Sequence, residues 1–496
     1  MKILPIFVII PLGCAFLISL LGKKIRNFAD ILANLGTLSL LVFSLYTIPL
    51  VSIHKIIVYK VGSWMPPIGI CMVLDGLTSF MLVMVNLVSF LVAIYSISYM
   101  KRYTDKYRFY ILFMLMLAGM NGIIVTGDLF NLFVFLEIAS IASYALVAFG
   151  TEAEELEASF KYAVMGTVAS SFILLGIALI YSYTSTLNMA DIAQVLSQKG
   201  TGLIISFVAV LFLAGFGLKA ALVPFHAWLP DAHPSAPAPI SAMLSGVFIK
   251  ILGVYALCRV LFNVLGVSSK ILSILVILGV ISMVVGAFLA IAQRDIKRMF
   301  AYSSISQIGY IIFALGIGTP LALLGGLFHL FNHAIFKSLL FLNSGAIEYS
   351  TGTRDLKRLG GLNSRLPITG FTGLLGSMSI SGIPPLSGFW SKLIIIIAAL
   401  QAGYFGSAIV AILVSIVTLA YYLKFMGFTF FGQLDKASLN IKEVPWVMRL
   451  SMIVLAIICV VAGLLLIPIL RPFLDGAVNV LLSGNSYKDA VFGAIK

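Results

Sequence analysis

The stretch Leu213–Leu244, LAGFGLKAALVPFHAWLPDAHPSAPAPISAML, decides how the chain is read. It begins as an apolar helix and then sets Lys219 inside the apolar run. Pro224 follows five residues on, then His226, Trp228, Asp231 and His233, then Pro234, Pro237 and Pro239. A proline inside a helix removes a backbone hydrogen bond and clashes with the preceding turn. A charge, a break and two histidines therefore interrupt a segment that otherwise reads as lipid-soluble helix. Irregular backbone at membrane depth is tolerated only where it is buried in protein or lines a wet cavity.

The rest of the chain agrees. Of its 496 residues 61% are hydrophobic and only 10% charged, and the mean hydropathy is +1.12. Charges are too few to cover a soluble surface of this size. The chain reads as an all-α polytopic membrane protein, because helices satisfy their own backbone groups in lipid. The formal net charge of +14 does not signal nucleic acid. The basic residues sit in short loops between apolar runs, where they act as topology determinants. Cys14, Cys71, Cys258 and Cys459 are scattered, with no metal or cluster spacing. No phosphate-binding or dinucleotide fingerprint is present, so no cofactor is expected. The N-terminal apolar run is read as a first span, since charges follow it and no small-residue cleavage site does.

Hydropathy and length give about fourteen spans of about 20 residues each. The basic loops 22–30, 101–108, 293–298 and 351–365 all fall on one side under that count. That side is cytoplasmic by the positive-inside rule, with both termini outside. The loop TEAEELEASFK (151–161) is acidic instead, and its glutamates suit the start of the next helix. Span 7 breaks at Leu222–Phe225 and span 12 at SGIPPLSGFWSK (381–392). The breaks are five spans apart, which points to two five-helix repeats, 108–262 and 263–430. An odd number of spans per repeat makes them inverted. Residues 1–107 then hold spans 1–3, and 431–496 hold span 14 and a tail. No further sequence repeat is read.

Seven ionisable groups lie inside the spans: Glu137, Lys219, Lys250, His329, His333, Lys337 and Lys392. Each costs about 2.5–3.5 kcal/mol at the helix centre on insertion scales. His329, His333 and Lys337 recur every four residues and share one helix face. Such groups suit a proton relay, because lysine and histidine can gain and lose protons when their surroundings change. Structural readings stand beside this one. Glu137 and Lys219 could lock two helices together. His226 and His233 could cap the broken helix. His329 and His333 could join helices by hydrogen bonds, and Lys337 could serve packing. Asp128 reads as a helix N-cap. A His-x3-His pair could hold a metal, but no third ligand is evident.

These motifs carry a resemblance. The chain is similar to the antiporter-like subunits shared by respiratory complex I, Mrp-type sodium/proton antiporters and membrane-bound hydrogenases. The match runs from about residue 70 to 430. It rests on LFNLFVFLEIASIASYALV, KAALVPFHAWLPDAHPSAPAPISAML, HLFNHAIFKSLLFL and SGIPPLSGFWSK. Within the family the chain is most like the D-type member of Mrp antiporters, from its length, Lys392 and the stretch EELEASFKYAVMG. The resemblance implies fourteen helices, two inverted repeats and broken helices 7 and 12. It implies that Glu137 and Lys219 form the coupling pair and that Lys250, His329 and His333 connect the half-channels. Lys392 would exchange protons at the exit, with His226 and Lys337 as lesser members. The implied function is a proton-translocating subunit of a multi-subunit Na⁺/H⁺ antiporter in the cell membrane, with other membrane subunits as partners. The alternative is a pumping subunit of a complex I-like oxidoreductase or hydrogenase, whose redox centres would lie on other chains.

Overall fold

The computed structural model describes residues 3–200, 202–433 and 441–495; residues 434–440 of the expected C-terminal segment lie outside it. Its helices in chain order begin with α1 (Ile6–Leu21), α2 (Phe28–His54), α3 (Gly76–Arg102), α4 (Lys106–Val125), α5 (Leu129–Val147) and α6 (Ala153–Thr184). Next come α7 (Met189–Lys199), α8 (Leu203–Lys219), α9 (Leu229–Ser235), α10 (Ala238–Leu265), α11 (Ser269–Ala292), α12 (Ile296–Ile317) and α13 (Pro320–Thr351). The series ends with α14 (Pro367–Ser381), α15 (Ser387–Gln401), α16 (Phe405–Phe430), α17 (Trp446–Leu466), α18 (Arg471–Leu482) and α19 (Tyr487–Ile495). Among the described residues eleven helices are long and apolar enough to cross a membrane. The expected spans 1 and 7 coincide with the shorter apolar helices α1 and α8, and the broken span 12 with α14 and α15 together. Sequence reading missed α7, α18, α19 and an antiparallel hairpin, β1 (Ile57–Lys60) with β2 (Cys71–Leu74).

Span 7 breaks two residues earlier than expected. Lys219 is the last residue of α8, and Ala221 has a left-handed φ of 56°. The Val223–Pro224 and Pro384–Pro385 peptide bonds at the two breaks are cis. The freed backbone is satisfied by named partners. The Trp228 indole donates to the Leu218 carbonyl at 3.0 Å, and the Val223 amide donates to Ser282 on α11 at 3.1 Å. Trp228, not His226 or His233, therefore caps the end of α8.

The internal repeat is sharper than the sequence reading suggested. Helices α6 and α13 have 32 residues each, and their ends are offset by 167 positions, 153–184 against 320–351. The same offset relates the isolated bridge Asp128↔Asn188 to Asp295↔Asp355. Leu129 donates to the Leu187 carbonyl as Ile296 does to Arg354, and Met189 to Gly127 as Leu356 does to Arg294. Asp128 and Asp295 each cap their helix by accepting from the amide three residues on, at 2.8 Å. The first bridge adjoins the hairpin, where the Gly127 amide donates to Cys71. The second lies at the far face, where the residues preceding and opening α6, Glu152 and Glu155, share a cavity with Glu348 and Arg354 at the end of α13. One helix of the pair starts where its equivalent ends, so the repeats are inverted.

The acidic loop also behaves as its charge suggests: Glu152 and Glu155 form a reciprocal capping box at the start of α6. Helices α11 and α12 pack backbone to backbone. A Cβ added at Gly279, Gly286, Gly309 or Gly316 would meet a backbone nitrogen of the other helix at 2.5 Å. Small residues let membrane helices approach closely where hydrophobicity gives no drive.

Candidate functional site

The site is built on α5, α8, α10, α13 and α15. The Lys219 ammonium donates to Ser140 Oγ at 2.9 Å and to Tyr144 Oη at 3.4 Å. It also lies 6.0 Å from the Tyr144 ring centroid, over its face. Glu137 stands one turn before Ser140 on α5 and accepts from Ser170 on α6. No ion pair joins Glu137 to Lys219 among the described residues, so the expected locked pair is instead a carboxylate and an ammonium separated by Ser140. Glu137 is only half-buried, whereas Lys219 is 3% exposed. Behind them Tyr144 meets Tyr162 edge-on, and Tyr162 stacks on Trp228 with centroids 4.2 Å apart. The break is thus held by an aromatic wall.

Lys250 is fully buried on α10, whose backbone is π-helical over Leu244–Phe248, Lys250–Tyr255 and Arg259–Leu265. π-Helical turns recur at functional sites. The Lys250 ammonium donates to the Ser245 carbonyl, and Ser245 Oγ lies 2.7 Å from Ser304 Oγ. Gly253 of α10 packs so closely on the break that an added Cβ would meet Ala220 Cβ at 2.5 Å. The residue after Lys219 therefore touches α10 one turn beyond Lys250. No side-chain hydrogen bond links Lys219 to Lys250 among the described residues.

On α13, His329 reaches Ser391 Oγ at 2.9 Å through Nδ1 and Gln307 Oε1 at 3.1 Å through Nε2. His333 is fully buried, its ring 6.4 Å from that of His329 and parallel within 5°. Neither of its ring nitrogens has a hydrogen-bond partner among the described residues. The Lys337 ammonium donates to the Phe300 carbonyl at 2.8 Å and to Tyr422 Oη at 3.2 Å. Lys392 donates to Ser415 Oγ at 3.0 Å and lies 5.0 Å from the Tyr310 ring centroid. Lys250 is within electrostatic reach of His329, His333 and Lys337, and Lys392 of both histidines. His226 stands apart, half-buried on the break itself.

The 167-residue offset makes the chemistry intelligible. It carries Tyr162, Gly166 and Ser170, which face Tyr144 and Glu137, onto His329, His333 and Lys337. It carries Ser140, the partner of Lys219, onto Gln307, the partner of His329. Tyr162 and Ser170 of the first repeat thus offer hydroxyls where the second repeat has the ionisable His329 and Lys337.

Sequence reading missed the hydroxyl partners Tyr144, Ser170, Ser391 and Ser415, and the role of Ser140 as partner of Lys219. It also missed a buried ion pair. Arg259 Nη1 meets Asp75 at 2.7 Å and Nη2 meets it at 3.0 Å, with both side chains 3% exposed. Arg259 also contacts Thr78 and Asn263 and lies 5.1 Å from the Tyr487 ring centroid. A lone arginine in the run YALCRVLFN was the available signal. Lys297, read as a loop residue, is buried at the start of α12, donating to the Ala236 carbonyl at 3.0 Å and 3.3 Å from Glu348.

Known proteins share both the sequence and the fold. Residues 126–419 match a family described as NADH:quinone oxidoreductase/Mrp antiporter, TM, and residues 64–110 match complex I chain 5 N-terminus. The chain is 35% identical over 430 residues to the D-type Na(+)/H(+) antiporter subunit of Alkalihalophilus pseudofirmus, covering 86% of this chain and 87% of that one. It is 38% identical over 371 residues to the N-type NADH-quinone oxidoreductase subunit of Desulforudis audaxviator, covering 74% of each. Among solved structures it resembles a chain of the Mrp complex from Dietzia with a TM-score of 0.91 and 29% identity, covering 99% of this chain and 100% of that one. It resembles a chain of an archaeal membrane-bound sulfane sulfur reductase equally well, with a TM-score of 0.91 and 32% identity over the same shares.

Proposed function

The chain belongs to the NADH:quinone oxidoreductase/Mrp antiporter transmembrane family, and from that premise we propose that it is the proton-translocating subunit of a multi-subunit Na⁺/H⁺ antiporter of the cell membrane. The observation that carries this is near full-length similarity to a D-type antiporter subunit, in both directions of coverage. The row of buried lysines and histidines supports the transport role. Glu137 and Lys219 set the charge at the α8 break. Lys250, His333 and His329 carry protons across the middle, with Lys337 beside them. Lys392 exchanges protons at the far end. His226, on the break, acts at its edge. Each ammonium is held by hydroxyl or carbonyl oxygens, which can accept from a charged amine without fixing it as a carboxylate would. Fourteen spans, counting α1, α8 and the broken α14–α15 as crossings, complete this reading.

The 38% identity to an N-type oxidoreductase subunit favours a second reading, in which electron transfer elsewhere in an assembly drives the same path. Purification in mild detergent separates them. Small membrane subunits without iron or flavin, and an assembly that moves protons on a Na⁺ jump, are expected. Co-purifying iron–sulfur or flavin subunits would replace the antiporter with the redox-driven assembly.

A further inference from the structure

Helix α14, the first half of the broken span 12, starts without a cap of its own: its N-cap residue is Leu366, which offers no side-chain acceptor. The first backbone amides of a helix have no partner within it. Here a carboxylate 75 residues further along the chain supplies one. Glu443, three residues before α17, accepts from the Ile368 amide at 2.9 Å and from Thr369 Oγ1 at 2.6 Å. It is half-buried, and its negative charge suits the positive end of a helix. The described parts of the connection between α16 and α17, 431–433 and 441–445, are tied to the loop after α13. The Gly361 amide donates to Phe431 O at 3.0 Å, and Ser350 Oγ to Lys442 O at 3.2 Å. The same first turn of α14 is tied to α13, where Asn343 donates to the Thr369 carbonyl.

The other end of α14 meets the buried row. Its last residue, Ser381, accepts at its carbonyl from Ser415 Oγ on α16 at 3.0 Å, and Ser415 Oγ accepts in turn from the Lys392 ammonium at 3.0 Å. Gly382 follows with a left-handed φ of 82°, and a Cβ added there would meet Lys392 Cδ at 3.2 Å. A Cβ added at Gly388 of α15 would run into the Ser379 carbonyl. The end of α14 is therefore packed directly against the segment that carries Lys392. Between the Glu443 end and this one lie 15 residues of helix, about 22 Å at the usual rise per residue. Interiors packed to crystal density transmit a displacement rather than absorb it.

We propose that Glu443 is a positioning residue for Lys392 and acts on it along α14, from the face of the basic loops to the far end of the row. The proposal rests on the relay reading above, in which Lys392 exchanges protons. Without the carboxylate, the Ile368 and Thr369 amides turn to water at this half-buried place, so the helix survives. Its start is then no longer tied to α17. The Ser381 carbonyl loses its fixed place, and with it the Ser415 hydroxyl that orients the Lys392 ammonium. Proton transfer needs its partners within about 2.6–3.2 Å. A misplacement of about 1 Å from a distant substitution costs up to about a hundredfold in rate.

The test is a double-mutant cycle on the whole assembly in proteoliposomes, with Na⁺-driven proton flux read per intact assembly. Glu443→Ala and Ser415→Ala are each expected to lower flux about tenfold. Together they are expected to lower it no further than either alone, because both act on Lys392 through one line of contacts and such effects do not add. A carboxylate that merely capped a helix would instead multiply its loss with that of Ser415. Glu443→Gln keeps an acceptor oxygen and is expected to restore most of the flux. If the alanine variant does not assemble, Glu443→Gln takes its place in the cycle. Full flux in Glu443→Ala or in Ser415→Ala, or losses that multiply to about a hundredfold, overturn the proposal. Lys392→Met, measured alongside, keeps the two claims apart. If it is silent while Glu443→Ala stays active, only the positioning role is wrong; if it is active, the relay reading itself falls.

Discussion

Lys219→Ala abolishes Na⁺-coupled proton movement while the assembly stays intact, and Glu137→Ala does the same. Lys219 closes α8 at the break, and among the described residues its ammonium is held only by the Ser140 and Tyr144 hydroxyls. Those hydroxyls lose a donor when the amine is gone, but their own O–H groups can still donate to neighbouring oxygens, so the fold keeps its contacts. Alanine is also the strongest helix former and extends α8 without strain. The proton carrier has no such substitute. A positioned proton-transfer group is worth about 10²–10⁴ in rate, so flux falls at least about a hundredfold. Glu137 acts on Lys219 across Ser140 rather than by contact, and its loss leaves the ammonium without the one carboxylate that reaches it among the described residues. Dye-reported proton uptake by proteoliposomes, alongside co-purification of the partner chains, reads both parts of the expectation. Wild-type flux in both variants would reduce these two residues to packing.

Asp75→Leu behaves in the opposite way: the assembly fails before transport can be asked about. Asp75 and Arg259 are a bidentate pair in the interior, and removing one partner strands the other charge. Breaking such a pair costs about 3–5 kcal/mol, whereas replacing both partners with apolar groups is often neutral or stabilising. Asp75→Leu is therefore expected to collapse the yield of monodisperse protein, and Asp75→Leu with Arg259→Met to recover it. The pair ties α3 to the end of α10 and to Tyr487 of α19, so the loss should be visible as a lowered Tm. Equal yields of the single and double variants would contradict a structural role. The contrast with Lys219 separates buried charges that clamp from buried charges that carry.

The residues that place ionisable groups in lipid were legible in the sequence, because a charge in an apolar run is costly and visible. The two breaks were legible for the same reason, through Pro224 and Pro384–Pro385. The exact end of α8 was not, since it is set by a left-handed Ala221 that no propensity marks. Most hydroxyl partners were not legible either: Ser170, Ser391 and Ser415 are ordinary in membrane helices, and only packing selects them. The repeat was readable in retrospect. TSTLNM (184–189) and TGTRDL (351–356) share Thr-x-Thr and an Asn or Asp, which make the equivalent turns and bridges. Lys297 was misplaced because a basic residue near a loop looks like a topology signal, while tertiary contacts with Ala236 and Glu348 bury it.

The central claim is that one continuous row carries the proton from the α8 break to Lys392. Lys250 tests it most directly. It stands between the two ends and forms no hydrogen bond with Glu137, Lys219 or Lys392 among the described residues. Its ammonium is held instead by the Ser245 carbonyl of its own helix. Methionine matches the length of the lysine stem and suits a buried apolar site. The measurement is proton flux driven by a Na⁺ gradient in proteoliposomes holding the intact assembly, wild type against Lys250→Met. Loss of flux to background with the assembly preserved is the result predicted. Undiminished flux in the variant would break the row at its middle and contradict the account.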